Sequence, residues 1–504
     1  MCGIFLVKSR STIPLEEHLN AFIKLQNRGP DFFSYRHENN IFIGQSTLHI
    51  TGSNEYYHTV HPTFLAYNGE IYNYKKFGNY SNDIELVADV VLRDLKKFTE
   101  FEGPWAWAWT NDSTVLYATD PQGERILYQY KDEEILIVSS EILPIIEFLG
   151  KVHCTVPYSN KCWTMLAQTP WHAITRIIPG TVYRDGYPER DIDNVWSWIK
   201  EPSCQNFDEA YEEFQSIWRD VCHDMTPACP AGLSYSGGID SNLILNSVDN
   251  LSLYAVNTQG KDAIVDNIVE FLTAEEQSRL TVIDVDNRLW ADKYRELIEW
   301  TQMPAQSWSF VGKWLVNEAC QERVLFTGIA ADELFGGYNI YKTLTYFAEG
   351  STSPYSQCDH DNLWTRCLSA YNGQANQATL LMDYLYQVVG NDAPGADRIG
   401  GAHGIEIRNP FMHPRLIKFI LNLPFEFKVN TVSKPLLRRL FLERWPEALL
   451  FPKMGFAGHA NDSLPYMNVD ITPTEDRHLD WKEISQKSFY EYTTPSRPVG
   501  TLVS

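Results

Sequence analysis

The feature that most limits what this chain can fold into is a change of periodicity near residue 200. Through about residue 190, apolar residues come in short β-type runs with turn punctuation: IFIGQSTLHI, TFLAYNGEIY, PWAWAWT, TVLYAT, RILYQY and EILIVSS. Trp105, Trp107 and Trp109 alternate at period two, which in a strand puts all three on one face, and the row reads as core. Helical patterns interrupt these runs at about 15–27 and 83–97, with Asp83 as the expected N-cap of the second. Beyond about 208 the order becomes AGLSY, a helix from near Asp240, SLYAVN, LTVIDV and RVLFTG, with helical stretches between; from about 335 the chain reads mostly helical. The first pattern predicts stacked sheets with helices outside them. The second predicts a parallel sheet of βαβ units.

The stretch RDGYPERDIDNVWSWIKEPSCQNFD is polar and turn-rich and marks the boundary. We therefore expect a first domain over 1–190, a linker over 191–208, a second domain over 209–465, and a tail over 466–504 with no assigned role. The 42 Lys+Arg against 64 Asp+Glu leave a charge of −22, which argues against nucleic acid and anionic membrane as partners, since both are polyanions. No run approaches the roughly 18 apolar residues of a membrane span. The start, MCGIFLVKSR, has no basic leader and is not expected to be a signal peptide. The nine cysteines are an odd number without CxxC spacing, so neither a disulfide framework nor a zinc ribbon fits. Eight of them read as small buried thiols in a reducing compartment, and a cytoplasmic protein is the expectation.

The ninth is Cys2. Removal of Met1 would leave its thiol and a free α-amine on one residue, and an amine titrating at about 8 can take the thiol proton without a histidine. Met-Cys-Gly alone carries little, and the segments downstream change the odds. Asn27-Arg28-Gly29-Pro30-Asp31, Asn68-Gly69-Glu70-Ile71-Tyr72-Asn73, and Asn82-Asp83 with Glu85 follow in an order that resembles the class II glutamine amidotransferase domain, an N-terminal-nucleophile hydrolase. The resemblance implies that Cys2 attacks the side-chain amide of glutamine. Asn68 and the Gly69 backbone N–H would form the oxyanion hole, and Glu70 and Asp83 would hold the substrate ammonium. Asn-Gly by itself is a hairpin turn; its neighbours favour the functional reading. One position departs. In Ser46-Thr47-Leu48-His49-Ile50, Thr47 stands where the family places an arginine for the glutamine carboxylate, and threonine cannot make a bidentate grip. Arg28 or His49 is the expected substitute, unless glutamine binds weakly.

A second constellation begins at Ser236-Gly237-Gly238-Ile239-Asp240-Ser241, between the apolar AGLSY and a helix. Adjacent glycines let the backbone approach an anion, and a helix N-terminus offers unpaired N–H groups to it. SGGxDS after a strand resembles the PP-loop of ATP pyrophosphatases, which release pyrophosphate and leave AMP on a carboxylate. Thr327-Gly328-Ile329-Ala330-Ala331-Asp332-Glu333, continuing to Gly336-Gly337-Tyr338, resembles the S-G-E-G-S-D-E-x-x-G-G-Y run of asparagine synthetases. Asp397-Arg398, with Ala402-His403-Gly404-Ile405-Glu406-Ile407-Arg408-Asn409-Pro410-Phe411, resembles their D-R-x3-A-H-G-x-E-x-R-x-P-F segment. Ser433-Lys434, Leu437-Arg438 and Pro452-Lys453 match their later basic residues.

The resemblance to glutamine-dependent asparagine synthetases covers roughly residues 1–460. It implies an α+β N-terminal-nucleophile hydrolase of stacked antiparallel sheets, followed by an α/β parallel-sheet PP-loop ATP pyrophosphatase. ATP and Mg²⁺ would be its cofactors and glutamine and aspartate its substrates, and a homodimer is allowed. Ser236, Gly237, Gly238 and Ser241 would cradle pyrophosphate, Asp240 and Asp332 would hold Mg²⁺, and Lys434 and Lys453 would contact phosphates. The backbone near Val256 and Asn257 would read adenine, while Lys453 taken alone is also a solvated surface charge. Ile329 departs more seriously, standing where the family has a glutamate associated with the acceptor. Either Glu333 or Glu406 compensates and aspartate remains the acceptor, which we favour, or another carboxylate of a small molecule, peptide or natural product is amidated. A regulatory protein with a disabled site is the third reading, opposed by the intact Cys2, Asn68, Gly69, Asp83, SGGIDS and Asp332.

Overall fold

The computed structural model describes residues 1–50, 64–111, 113–150, 169–200, 204, 206–257, 269, 271–305, 307, 309–344 and 361–445. The first part is built from two antiparallel sheets. Strands β1 (Gly3–Ser9), β2 (Phe32–Glu38), β3 (Ile41–Thr47), β7 (Tyr128–Lys131), β8 (Ile135–Ser139) and β9 (Ile174–Arg176) lie in the order β2-β3-β1-β8-β7-β9. Strands β4 (Phe64–Gly69), β5 (Trp105–Thr110), β6 (Val115–Thr119), β10 (Thr181–Arg184) and β11 (Tyr187–Asp191) lie in the order β11-β10-β6-β5-β4.

Alternation explains how the sheets stack. Ile4 and Leu6 of β1 meet the small Ala66, Ala106 and Ala108 between the sheets. Phe5 and Val7 face the other way, against Phe22 and Ile142 from helices Leu15–Phe22 and Ile142–Leu149. The three tryptophans also point outward from the sandwich, where Leu86, Val87 and Val90 of helix Asp83–Arg93 cover them. Small residues inside let the sheets approach, and large ones outside seat the helix. The tryptophan row is core, as expected. The N-cap of that helix is Asn82 rather than Asp83: the Asn82 side chain accepts from Glu85 N–H at 3.0 Å, so the capping oxygen sits one residue earlier and Asp83 is left for other partners.

The second part is a parallel sheet, β12 (Ala231–Ser234), β13 (Ser252–Asn257), β14 (Leu280–Asp284), β15 (Val324–Phe326) and β16 (Glu406–Arg408), in the order β14-β13-β12-β15-β16. Four of these strands are the predicted ones. The fifth, Glu-Ile-Arg, is three residues long with charged ends and has no apolar run to announce it. The chain moves outward from β12 in one direction and then returns to continue from β15 in the other. The crevice between those two strands is where open α/β sheets bind ligands, beyond the strand C-termini. The expected linker contains the short helix Val195–Trp198.

Buried charge joins the two parts. Arg28 is 0% exposed and bonds Glu141 at 2.6 Å and Asp397 at 2.8 Å. Arg398 reaches back to Glu141 at 2.9 Å. Arg176 donates to the carbonyls of Val389 at 2.7 Å and Gly390 at 3.3 Å, within the π-helical turns Tyr384–Asp392. Arg28→Ala leaves Glu141 and Asp397 facing a hole. We expect a loss of about 3–5 kcal/mol, read as a lowered denaturation midpoint and earlier proteolysis between the parts; an unchanged midpoint would show that the cluster is not a structural joint.

Candidate active sites

The first site gathers at the start of β1, the strand lying between β3 and β8. The Cys2 backbone N–H donates to Asn68 Oδ1 at 2.9 Å. That bond identifies the oxygen end of the amide and aims Nδ2 elsewhere. Asn68 Nδ2 is buried with no hydrogen-bond partner among the described residues, as an oxyanion-hole donor awaiting its oxygen would be. Gly69 is next, at the end of β4, where a Cβ would fall 2.3 Å from Pro104 O; the register against Trp105 admits no side chain there.

The thiol of Cys2 receives the backbone N–H of Leu48, yet burial pushes its pKa up. At rest it is therefore a thiol, which could act as a nucleophile only with a base to take its proton. Burial also pushes the Met1 amine down to about 5, so an amine in this pocket is uncharged near neutrality. Removing Met1 would bring such an amine onto Cys2 itself.

Asp83 accepts from Tyr67 Oη at 2.9 Å and from Ile71 N–H at 3.0 Å, while burial pushes its carboxyl up to about 6. Glu70 is not free: Arg408 of β16 donates to its Oε2. Burial raises Glu70 while Arg408 opposes the shift, and Glu406, bonded to Arg408 at 2.9 Å, raises it further. Arg408 is a site residue that the sequence reading missed. Its signal was there, in the E-x-R segment, but nothing linear connects that segment to Glu70.

The reading of Arg28 as a glutamine-binding residue requires correction. Its Nε donates to Cys2 O at 3.0 Å, and its terminal nitrogens are committed to Glu141 and Asp397. It holds the Cys2 carbonyl and has no edge left for a substrate carboxylate. The Thr47 hydroxyl receives the side-chain N–H of Gln45 at 3.2 Å, and its carbonyl receives the Asp31 N–H at 3.1 Å. His49 donates its backbone N–H to Asp31 at 2.8 Å and accepts from Arg323 at 3.1 Å.

The second site occupies the crevice at the ends of β12 and β15. Gly237 has φ +70°, a conformation glycine adopts without cost, and helix Ile239–Ser247 starts behind it. Asn242, buried and also unforeseen, donates to the carbonyls of Gly237 at 2.9 Å and Gly238 at 3.0 Å. Ser236 and Ser241 meet hydroxyl to hydroxyl at 3.2 Å.

Lys434 stands at the centre. Its Nζ lies 2.7 and 2.6 Å from the two oxygens of Asp240 and 2.6 Å from Asp332. Burial would lower its pKa, but the two carboxylates outweigh burial and hold it above the ordinary value. Two carboxylates converging on one cation are the oxygen surroundings that a hard divalent ion takes. The Lys434 backbone is left-handed at φ +53°, and Ala330 is left-handed at φ +77°, where the resembling run carries its second glycine. Val256 and Asn257 end β13 beside this crevice, and the Asn257 carbonyl already accepts from Val285 at 3.0 Å. Ile329 is partly buried and packs against two large apolar clusters, one within the second part and one that spans both parts. Lys453 lies outside the described residues.

Comparison with known proteins yields two family matches: an asparagine synthase model over residues 221–468 and a glutamine amidotransferase domain over residues 1–187. A probable glutamine-hydrolysing asparagine synthetase of Acanthamoeba polyphaga mimivirus is 26% identical, covering 98% of this chain and 92% of its own length. The glutamine-hydrolysing asparagine synthetase of Gallus gallus is 23% identical over 91% of this chain and 84% of its own. A Gibberella zeae protein named amidase chry2 is 19% identical over 75% of this chain and 62% of its own.

Two outcomes are expected from this geometry. The KM for glutamine should rise as pH falls below about 6, because protonated Asp83 cannot pair with an ammonium; Asp83→Asn should raise KM at pH 8 and remove that limb. Ala330→Gly should stabilise the chain by up to about 1 kcal/mol, by removing a Cβ from left-handed backbone, measurable as a higher melting midpoint.

Proposed function

Since the chain belongs to the glutamine-dependent asparagine synthetase family, we propose that it amidates a carboxylate with ammonia drawn from glutamine, at the expense of ATP. The observation that carries this reading is the convergence of Asp240, Asp332 and Lys434 behind the glycine loop, in a chain that also brings Cys2 and Asn68 together.

At the first site, Cys2 Sγ attacks the side-chain carbonyl carbon of glutamine, with its proton passing to the amine freed by loss of Met1. Asn68 Nδ2 and Gly69 N–H receive the oxyanion, ammonia leaves, and water cleaves the thioester to glutamate. At the second site, an acceptor carboxylate attacks the α-phosphorus of ATP and pyrophosphate leaves along the Ser236–Ser241 loop. Asp240 and Asp332 would hold Mg²⁺, which supplies charge neutralisation to the phosphates when bound. Lys434 is poised to donate to the departing phosphates once its carboxylates have that ion to face. Ammonia then attacks the acyl carbon, and AMP leaves. A continuous apolar cluster including Phe5, Ile126, Ile399, Ile405 and Ile407 crosses from one part to the other and meets Ile329, supporting an internal route that keeps ammonia unprotonated.

The acceptor we favour is aspartate, giving asparagine. Ile329 supports a second reading, because an apolar side chain offers no acid, base or hydrogen bond to an amino-acid acceptor. In that reading the same chemistry is applied to a different carboxylate. The purified chain, given ATP, Mg²⁺ and glutamine, should release AMP in step with asparagine when aspartate is added. Glutamate release without aspartate-dependent AMP would remove aspartate and leave the second reading. Cys2→Ala should abolish the glutamine-dependent reaction and spare the ammonium-dependent one. Asp240→Asn should do the reverse, stopping AMP formation while glutamate still forms; persistent AMP release would overturn the assignment of the glycine loop.

A further inference from the structure

Thr327 opens the loop that carries Ile329 and leads to Asp332. Two adjacent residues at the end of β16 hold it in place. Its backbone N–H donates to Arg408 O at 3.0 Å, and its hydroxyl donates to Asn409 Oδ1 at 2.5 Å. Asn409 is 2% exposed, and the other end of its amide donates to Glu124 Oε2 at 2.9 Å.

Glu124 belongs to the other part of the molecule. It lies in the turn after β6, where the Asp120 carboxylate accepts the backbone N–H groups of Glu124 at 2.9 Å, Arg125 at 2.8 Å and Trp105 at 3.1 Å. Trp105 is the register partner of Gly69. An unbroken series of buried hydrogen bonds thus runs from beside the oxyanion strand, through Asp120, Glu124 and Asn409, to the first residue of the acceptor loop. Burial, and then Asp120, push the Glu124 carboxyl up to about 8; a carboxyl keeps an accepting oxygen whether or not it is protonated. Arg408 runs parallel to this path, with its side chain on Glu70 and its carbonyl on Thr327.

We infer that Asn409, held by Glu124, is a positioning residue that fixes the acceptor loop to the glutamine-hydrolysing domain. The inference rests on the two-site reading above. An amide with both ends engaged has one orientation, and losing either partner frees the hydroxyl of Thr327 to turn. The loop that receives the acceptor is therefore built partly by the other domain.

Glu124→Ala and Thr327→Val break the path from opposite ends, and Glu124→Gln keeps an accepting oxygen. In Glu124→Ala and Thr327→Val, amide hydrogen exchange at residues 327–331 should speed up about tenfold; Glu124→Gln should restore it. The KM of aspartate for AMP release, with ammonium as nitrogen source, should rise about tenfold in the broken variants. Their kcat should stay within about threefold and glutaminase kinetics within about twofold. Unchanged exchange in both broken variants, or equal impairment in Glu124→Gln and Glu124→Ala, would overturn the inference. Wild-type protein that releases no AMP with aspartate would defeat the acceptor assignment alone, because the exchange measurement needs no acceptor.

Discussion

The molecule depends on charge buried where its two halves meet. Arg28, Glu141, Asp397 and Arg398 are nearly inaccessible and bond one another across the interface. Taking such ions out of water is costly, and apolar residues of equal volume would hold the halves at least as firmly. What the ions add is direction. A guanidinium bonded on all its edges permits one orientation, so the strand end carrying Cys2 is set relative to Asp397 and to the helix Ala393–His403 that bears it. The same arginine that joins the halves thereby holds the carbonyl of Cys2.

The second site shows what the rest of the fold has to offset. Lys434 and Ala330 both lie in left-handed backbone, which costs an L-residue roughly 1–2 kcal/mol. Lys434 is kept there by three short contacts to two carboxylates. Strain of this kind persists where surrounding bonds over-determine it, and it gathers at places that must present one group in one direction. For Lys434 that direction is the crevice between β12 and β15.

Much of this was legible in linear pattern because the pattern is local. Period-two runs predicted most strands of the first part, and strand–helix alternation predicted four of the five parallel strands. The Trp105–Trp109 row was legible as core, since its face is set by the pleat alone. Failures came where the deciding partner is distant or the element is too short to show a period. Glu406–Arg408 becomes a strand because β15 lies beside it, with Val324 opposite Glu406, and not because of its own composition. Asn82 and Asp83 are both acceptable caps; the choice fell to Asn82 because Tyr67 and Ile71 claim Asp83.

Arg28 shows the same division at the level of function. An arginine next to Gly-Pro-Asp, beside a site that lacks its expected cation, reads as a substrate clamp. Which carboxylates surround it depends on residues more than a hundred and more than three hundred positions away. Sequence alone marked the two candidate sites, because Met-Cys-Gly, Asn-Gly-Glu and the Ser-Gly-Gly loop are residue types at short local spacings. Only tertiary structure decided that Arg408 touches Glu70 and that Asn409 spans from Glu124 to Thr327. A hydrogen bond needs its partners within about 3 Å in space, and nothing in the order of residues along the chain states which distant ones will come that close.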